Sequence, residues 1–316
     1  MSVSTPIVSL FVAAACSGSQ AAMPTAKGEP PETIVQNTLP DDATSRVVAI
    51  GDLHADLEAT TRTLQMAGLI DSTGAWIGGD TTLVQTGDTT DRGPDSKAVI
   101  ELLIRISTEA ESTGGRVVTL LGNHEVMNLH GDWRYVSPGD VADFGSVAAR
   151  QAALTPTEPL GAWLRKQDIV ARVGDTVYAH GGVTATWAGK GIEGINAAAS
   201  EAIRHDPRAA VLGEEGPLWF RGYLLADESI ACAELASALA ALGARRMVVG
   251  HTTQRSGRIA TRCDGALIGV DTGISAHYGG HLSALEIRNG DARAIYPTGS
   301  EDLPDPPRVR PTGPAR

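Results

Sequence analysis

The sequence predicts an α/β fold: a sandwich of two β-sheets with helices on the outside. Three observations carry this expectation. Apolar segments of strand length alternate with segments of helical spacing through the first half of the chain. Those strand segments are almost continuously apolar, as strands covered on both faces must be. After a helical, irregular stretch, further short strands follow, enough for a second sheet.

The elements follow in order. "RVVAI" (Arg46–Ile50) reads as a strand. Residues 57–67 have helical spacing and stop at Gly68. "TTLVQTG" (81–87) is a strand, 95–108 a helix with Ala98, Leu102, Ile104 and Ile106, and "RVVTLLG" (116–122) a strand. Residues 123–166 look helical and irregular. "DIVARVGDTVYAH" (168–180) reads as two strands about a Gly174-Asp175 turn. A helix over Glu228–Leu242 precedes the strand "RRMVVG" (245–250), and 258–260, 267–270 and 281–287 read as further strands. With no internal repeat, the elements form one compact domain over residues 45–298.

The ends read differently. Residues 299–316, "GSEDLPDPPRVRPTGPAR", are Pro-rich and expected to be disordered. Residues 17–44 read as a linker. Before them lies a short apolar run, 7–15, too short to span a bilayer. "AAAC-SGS" around Cys16 resembles a bacterial lipoprotein processing site. No Lys or Arg precedes the run, and Ala13 stands where a larger aliphatic is usual. The segment 1–44 therefore reads as a signal and linker with a lipid anchor at Cys16, which implies a periplasmic or membrane-anchored protein. The alternative is a plain tail on a cytoplasmic one.

The chain has 316 residues, 42% of them hydrophobic, and a net charge of −11. That charge argues against a general nucleic-acid binder. It leaves room for a phosphate ligand where metals and a few arginines build a local positive pocket. Beyond Cys16, Cys232 and Cys263 fit ordinary packing, or a bridge if the protein is exported.

The chemistry lies where the strands end. "GDLHAD" follows the first strand and carries Asp52 and His54. Alone it is weak: Asp52 could cap a helix and His54 sit in a loop. Alternatively, both side chains leave one face of an extended chain and meet on a metal. "TGDTTDRG" follows the next strand with Asp88, Asp91 and Arg92; "GNHE" follows another with Asn123 and His124. "HGG" brings His180 and "GHT" brings His251. Five strands deliver polar residues at the same relative end, where open α/β sheets bind ligands. The types suit two ions. Asp52 and His54 would hold one, Asn123, His180 and His251 the other, with Asp88 bridging. Carboxylate, imidazole and amide oxygen suit Mn, Fe, Zn or Co. Two ions roughly 3.5–4 Å apart can activate water and polarise a phosphoryl oxygen. Glycines at 51, 87, 122 and 250 would permit sharp exits from the strands.

These motifs, in this order over about residues 46–290, resemble those of the calcineurin-like metallophosphoesterases. "DRG" and "GNHE" are the forms of the phosphoprotein phosphatase group. "GNHEVMNLHGDWRYV" (122–136) and "GPLWFRGY" (216–223) look like the Shewanella-like protein phosphatases. The resemblance implies the two-sheet fold, the metal ligands above and attack by a metal-bridging hydroxide without a phosphoenzyme. It implies that His124 protonates the leaving alcohol, oriented by Asp91, and that Arg92 and Arg221 clamp the phosphate. His130, His205, His277 and His281 fit loop or surface roles better than ligand roles; His277, Tyr278 and Asp271 would line the pocket. Many nucleases of the superfamily carry a second histidine where this chain has Thr253, which favours monoester hydrolysis. The leading expectation is a protein phosphatase acting on phosphotyrosine or phosphoserine/threonine. The alternative is a small-molecule phosphatase such as a diadenosine polyphosphate hydrolase, although Ala55 replaces that group's glycine. A metal-stabilised binding protein would have to explain why no catalytic residue is missing.

Overall fold

The computed structural model describes residues 46–306, together with Met1. Cys16, the apolar run at 7–15, the linker to residue 44 and the chain from 307 onward lie outside the described residues.

Three strands open the fold: β1 (Arg46–Ile50), β2 (Thr82–Gln85) and β3 (Arg116–Thr119). They run parallel, in register from Val47↔Thr82 and from Thr82↔Arg116. Parallel neighbours need a crossover, and helices supply it. These are α1 (Leu57–Met66) and α2 (Ser96–Glu111). At the start of α1 the Asp56 side chain accepts the Ala59 N–H at 2.9 Å, satisfying a donor that the helix leaves free. The middles of the strands are apolar because both faces are covered. Val48 and Ile50 pack with Leu64, Val99 and Leu103 on the helical side. Val47 and Ala49 point the other way, onto the second sheet.

Four short helices follow β3: α3 (Asn123–Leu129), α4 (Pro138–Asp143), α5 (Val147–Ala153) and α6 (Pro159–Leu164). The hairpin β4 (Val170–Val173) and β5 (Thr176–Ala179) then starts the second sheet. Helices α7 (Ala185–Ala188), α8 (Gly191–His205), α9 (Gly222–Leu225) and α10 (Glu228–Leu242) lead to β6 (Arg246–Val249), β7 (Ala260–Arg262) and β8 (Leu267–Gly269). The strand order is β4-β5-β6-β8-β7, with β5, β6 and β8 parallel. Ile195 and Ala199 of α8 and Leu235 and Leu239 of α10 cover Val177, Met247 and Val249 on the outer face. On the inner face Ala171, Tyr178, Val248 and Ile268 meet Val47, Ala49 and Val84 of the first sheet. The expected sandwich is therefore observed.

Cys232 of α10 and Cys263, just after β7, are disulfide-bonded, with Cα atoms 5.4 Å apart. Of the two readings of these cysteines, the bridge is the one observed.

Two expectations need correction. The strand expected over 281–287 joins the first sheet rather than the second, and more of that sheet follows it. Three antiparallel strands complete it: β9 (Ala284–Arg288), β10 (Asp291–Tyr296) and β11 (Gly299–Asp302), in the order β11-β10-β9-β1-β2-β3. The domain therefore continues past residue 298, and a disordered tail does not begin at Gly299. In β10, Ala292, Ala294 and Tyr296 are buried while Asp291 and Arg293 are exposed. That is strand alternation, but two of its three inward residues are alanines, so the apolar period is faint in the sequence. Beyond β11, Leu303 packs against the core between the sheets. Asp305 pairs with the guanidinium of Arg246, which is fully buried.

That ion pair yields a stability prediction. Asp305→Ala leaves a buried guanidinium without its carboxylate. The expected cost is about 2 kcal/mol, or roughly 4–8 °C in Tm. Thermal unfolding of the variant beside the parent checks it.

Candidate metal centre

All the strand ends named above converge. Asp52 and His54 follow β1, Asp88 follows β2, Asn123 opens α3 after β3, His180 follows β5 and His251 follows β6. His54 Nε2 lies 3.9 Å from Asp52 Oδ2 and 3.7 Å from Asp88 Oδ2. His180 Nε2 lies 3.2 Å from Asp88 Oδ2 and 3.0 Å from Asn123 Oδ1. Two groups share Asp88: His54, Asp88 and His124 on one side, Asp88, His180 and His251 on the other, each with ligand atoms within 4.8 Å of one another. Asp52 borders both sides, since its oxygens accept the His251 N–H at 3.1 and 3.2 Å.

The route of His54 into the site differs from the expected one. The chain is not extended there: His54 has φ 45° and Ala55 φ 53°. A left-handed turn, not strand period, turns the imidazole inward. Two backbone bonds secure it, from the N–H groups of Leu53 and His54 to Asp88 O at 2.9 Å. Asp88 (φ 55°), Asp91 (φ 69°), Arg92 (φ 71°) and His251 (φ 62°) are left-handed as well. Such conformations cost a non-glycine residue on the order of 1–2 kcal/mol and cluster at functional sites. Gly87 takes a left-handed φ at its strand exit, as expected, but two other glycines act differently. Gly122 and Gly250 have no left-handed φ, but a Cβ on either would collide with the carboxylate of Asp88 or Asp52. They are cradles for the ligands.

The residues fit metal ions. Burial pushes His54 down to about 3 and His251 down to about 2. Both rings are therefore neutral at ordinary pH, the form in which imidazole ligates. His180 Nδ1 faces Thr86 O at 3.0 Å and His54 Nδ1 faces Thr90 O at 3.3 Å. A carbonyl at Nδ1 holds the tautomer that presents the Nε2 lone pair. The Nε2 of His251 is buried without a protein partner, which a metal would supply. Burial raises the Asp52 carboxyl, and the neighbouring Asp271 and Asp88 raise it further. A cation among such crowded carboxylates would favour their charged form.

His124 stands apart. Its Nδ1 is 2.7 Å from Asp91 Oδ2, a carboxylate rather than a carbonyl. Burial disfavours its charge, but Asp88 and Asp91 outweigh this and lift the imidazole above its usual range. Its backbone N–H donates to Asp88 Oδ1 at 3.0 Å. The guanidinium carbon of Arg92 lies over the Tyr135 ring, 3.9 Å from its centroid, and the buried Nε lacks a protein partner. Arg221, exposed at the rim, donates to His251 O at 2.6 Å. Of the pocket residues expected from the sequence, Tyr278 stacks 4.7 Å from the His54 ring. Asp271 follows β8, and its buried Oδ2 lacks a protein partner. His277 is exposed beside Tyr278.

These features identify a phosphoester-cleaving centre, and the sequence agrees. The chain belongs to the calcineurin-like phosphoesterase family. Residues 45–255 match that family. The chain is 35% identical to Shewanella-like protein phosphatase 2 of Arabidopsis thaliana, over 77% of its own length and 75% of the relative's. It is 30% identical to Shewanella-like protein phosphatase 1 of Plasmodium berghei, over 73% and 67%. Among solved structures, the cold-active protein-tyrosine phosphatase of a psychrophilic Shewanella species superposes with a TM-score of 0.74. It has 28% identity, over 89% of both chains. Within the family its homologues include Shewanella-like protein phosphatases, and its centre is that of a dimetal phosphoesterase.

Glu125 is the residue that the sequence reading passed over. Its Oε1 accepts N–H and hydroxyl groups of Thr89 and Thr90 at 2.8–3.0 Å. Its Oε2 accepts the N–H groups of Asp88 at 2.9 Å and Gly122 at 2.8 Å. A glutamate three residues after a helix's first free N–H can reach back to it, so "GNHE" held the clue. Glu125→Gln would set an amide NH₂ against donors that both need an acceptor. The expected result is a loss of roughly 1–3 kcal/mol together with a fall in bound metal. Unfolding and elemental analysis of the same preparation check both.

Proposed function

We propose that the protein is a metal-dependent protein phosphatase that hydrolyses phosphomonoesters, with phosphotyrosine as its first substrate class and phosphoserine/threonine as the second. One observation carries the reading: the His124–Asp91 pair sits against an Asp88-centred ligand set, beside an arginine whose Nε awaits an acceptor. Asp52 and His54 would hold one ion, and Asn123, His180 and His251 the other, with Asp88 shared. The proposed ions are Mn, Fe or Zn, which suit mixed oxygen and imidazole ligands. When bound, two such ions supply activation of the water nucleophile and charge stabilisation at phosphorus. The chain's own groups do the rest. Arg92 and Arg221 bind phosphate oxygens, which a guanidinium matches in geometry and charge. His124 donates a proton from Nε2 to the leaving oxygen while Asp91 fixes its ring. The tyrosine phosphatase likeness supports the aromatic substrate.

His124→Asn tests the assignment. The variant is expected to fold and keep its metal, yet lose roughly 10²–10⁴-fold in kcat on alkyl phosphates. The loss shrinks on p-nitrophenyl phosphate, whose leaving group needs little protonation. Asp88→Asn is expected to lower metal content itself. The measurement is kcat against leaving-group basicity, with metal content determined in parallel. A His124→Asn variant that loses metal, or slows every leaving group equally, rejects the acid. Turnover of phosphotyrosine peptides beside phosphoserine peptides ranks the substrates.

We also propose export with a lipid anchor at Cys16. The bonded Cys232–Cys263 pair supports this, because disulfides persist in oxidising compartments. Mass spectrometry of the mature N-terminus from the native host is expected to find a lipidated Cys16; an intact Met1 rejects it.

A further inference from the structure

One charged side chain is buried behind the site without a role in the reading above. Arg150, on α5, is only 3% exposed. Its guanidinium divides among three residues. Nε donates to Asp140 Oδ2 at 2.7 Å, Nη1 donates to Asn128 Oδ1 at 2.7 Å, and Nη2 lies 3.6 Å from Asp91 Oδ1. Asn128 Nδ2 in turn donates to Asp91 Oδ1 at 2.9 Å and to His124 O at 2.8 Å. The outer anchor is also held: Asp140 Oδ1 accepts the Ser96 N–H at 2.8 Å, and Ser96 Oγ accepts the Asp91 N–H at 3.3 Å. The path leaves Asp91, passes through Asn128, Arg150 and Asp140, and returns to Asp91 through Ser96.

This ring reinforces two choices at the site. An amide can present either its oxygen or its NH₂ to a neighbour. Because Arg150 takes the Asn128 oxygen, the Asn128 NH₂ must face Asp91. With Oδ1 of Asp91 then occupied by Asn128, Oδ2 is the oxygen left for His124. Arg150 thus selects the carboxylate orientation at a residue whose own backbone is left-handed.

We propose that Arg150 is a positioning residue for the general-acid pair: acting through Asn128 and Asp91, it fixes the direction of the His124 ring without touching substrate. The proposal rests on the phosphomonoesterase reading. A buried ion pair by itself adds little net stability, whereas a planar fork fixes the direction of what it binds.

The test uses the full metal-loaded chain with Arg150→Met and Arg150→Lys, on phenyl phosphate and p-nitrophenyl phosphate. Arg150→Met is expected to lower kcat on phenyl phosphate by roughly 10–100-fold, a share of what a general acid supplies. KM stays within about 2-fold, and the loss on p-nitrophenyl phosphate is much smaller. Arg150→Lys restores part of the rate. In a His124→Asn background, Arg150→Met costs nothing further, because the acid it positions is gone. Equal loss on both substrates, or a full added loss in that background, overturns the proposal, as does an unchanged rate. Should Arg150→Met fail to fold, Asn128→Ala cuts the same link and must give the same leaving-group pattern; a flat pattern overturns the proposal. Parent enzyme inactive on both aryl phosphates would reject the phosphomonoesterase reading itself. An active parent with flat variants rejects positioning alone.

Discussion

One buried carboxylate organises the centre. Glu125 gathers six donors from two separate strand exits, the turn at 88–90 and the start of α3 at Gly122. A backbone donor buried without an acceptor costs on the order of 1–3 kcal/mol, so those loops cannot drift from Glu125 cheaply. Asp88 is the residue so pinned, and every other ligand is measured from it. Its neighbours could not adopt their unfavourable backbone angles unless something over-determined them. Glu125 does this from outside both candidate ligand groups.

Two sheets facing each other, each with three parallel strands, explain why residues so far apart in the chain meet. β1, β2 and β3 end together in one sheet, and β5, β6 and β8 in the other. The polar residues that follow these strands therefore share one edge of the sandwich. The glycines at 122 and 250 bring backbone against the ligand carboxylates, which no residue with a Cβ could do. Packing between Val47, Ala49 and Val84 on one side and Tyr178, Val248 and Ile268 on the other keeps the two halves aligned.

Electrostatics divides labour among similar side chains. Burial dominates at His54 and His251 and keeps them neutral. At Asp88 burial is outweighed by the charges of His180 and His124, which hold its carboxyl well below the usual range. His124 has a carboxylate at Nδ1 where His54 and His180 have carbonyls. The partner at Nδ1 therefore differs between the rings proposed as ligands and the ring proposed to carry a proton, while Asp88 raises His124 and His180 alike.

Much of this was written in the chain. Strand exits such as "GNHE" and "GHT" name residues that the fold brings together, because a metal would demand particular donor types whatever surrounds them. Continuous apolar runs in 46–50 and 116–122 report burial on both faces. The helix over Glu228–Leu242 was legible to the residue, because its C-terminal glycine, Gly243, adopts the left-handed conformation that ends helices. β10 and β11 were not legible, since alanines and polar residues become strands there only by pairing with β9. The Cys232–Cys263 bridge, the turn that aims His54 and the ring through Arg150, Asn128 and Asp91 were equally hidden. Each depends on distances between segments far apart in sequence. Residue types dictate which chemistry the chain can perform; only tertiary packing decides which copy of a common side chain faces which partner, because that choice is made by contact.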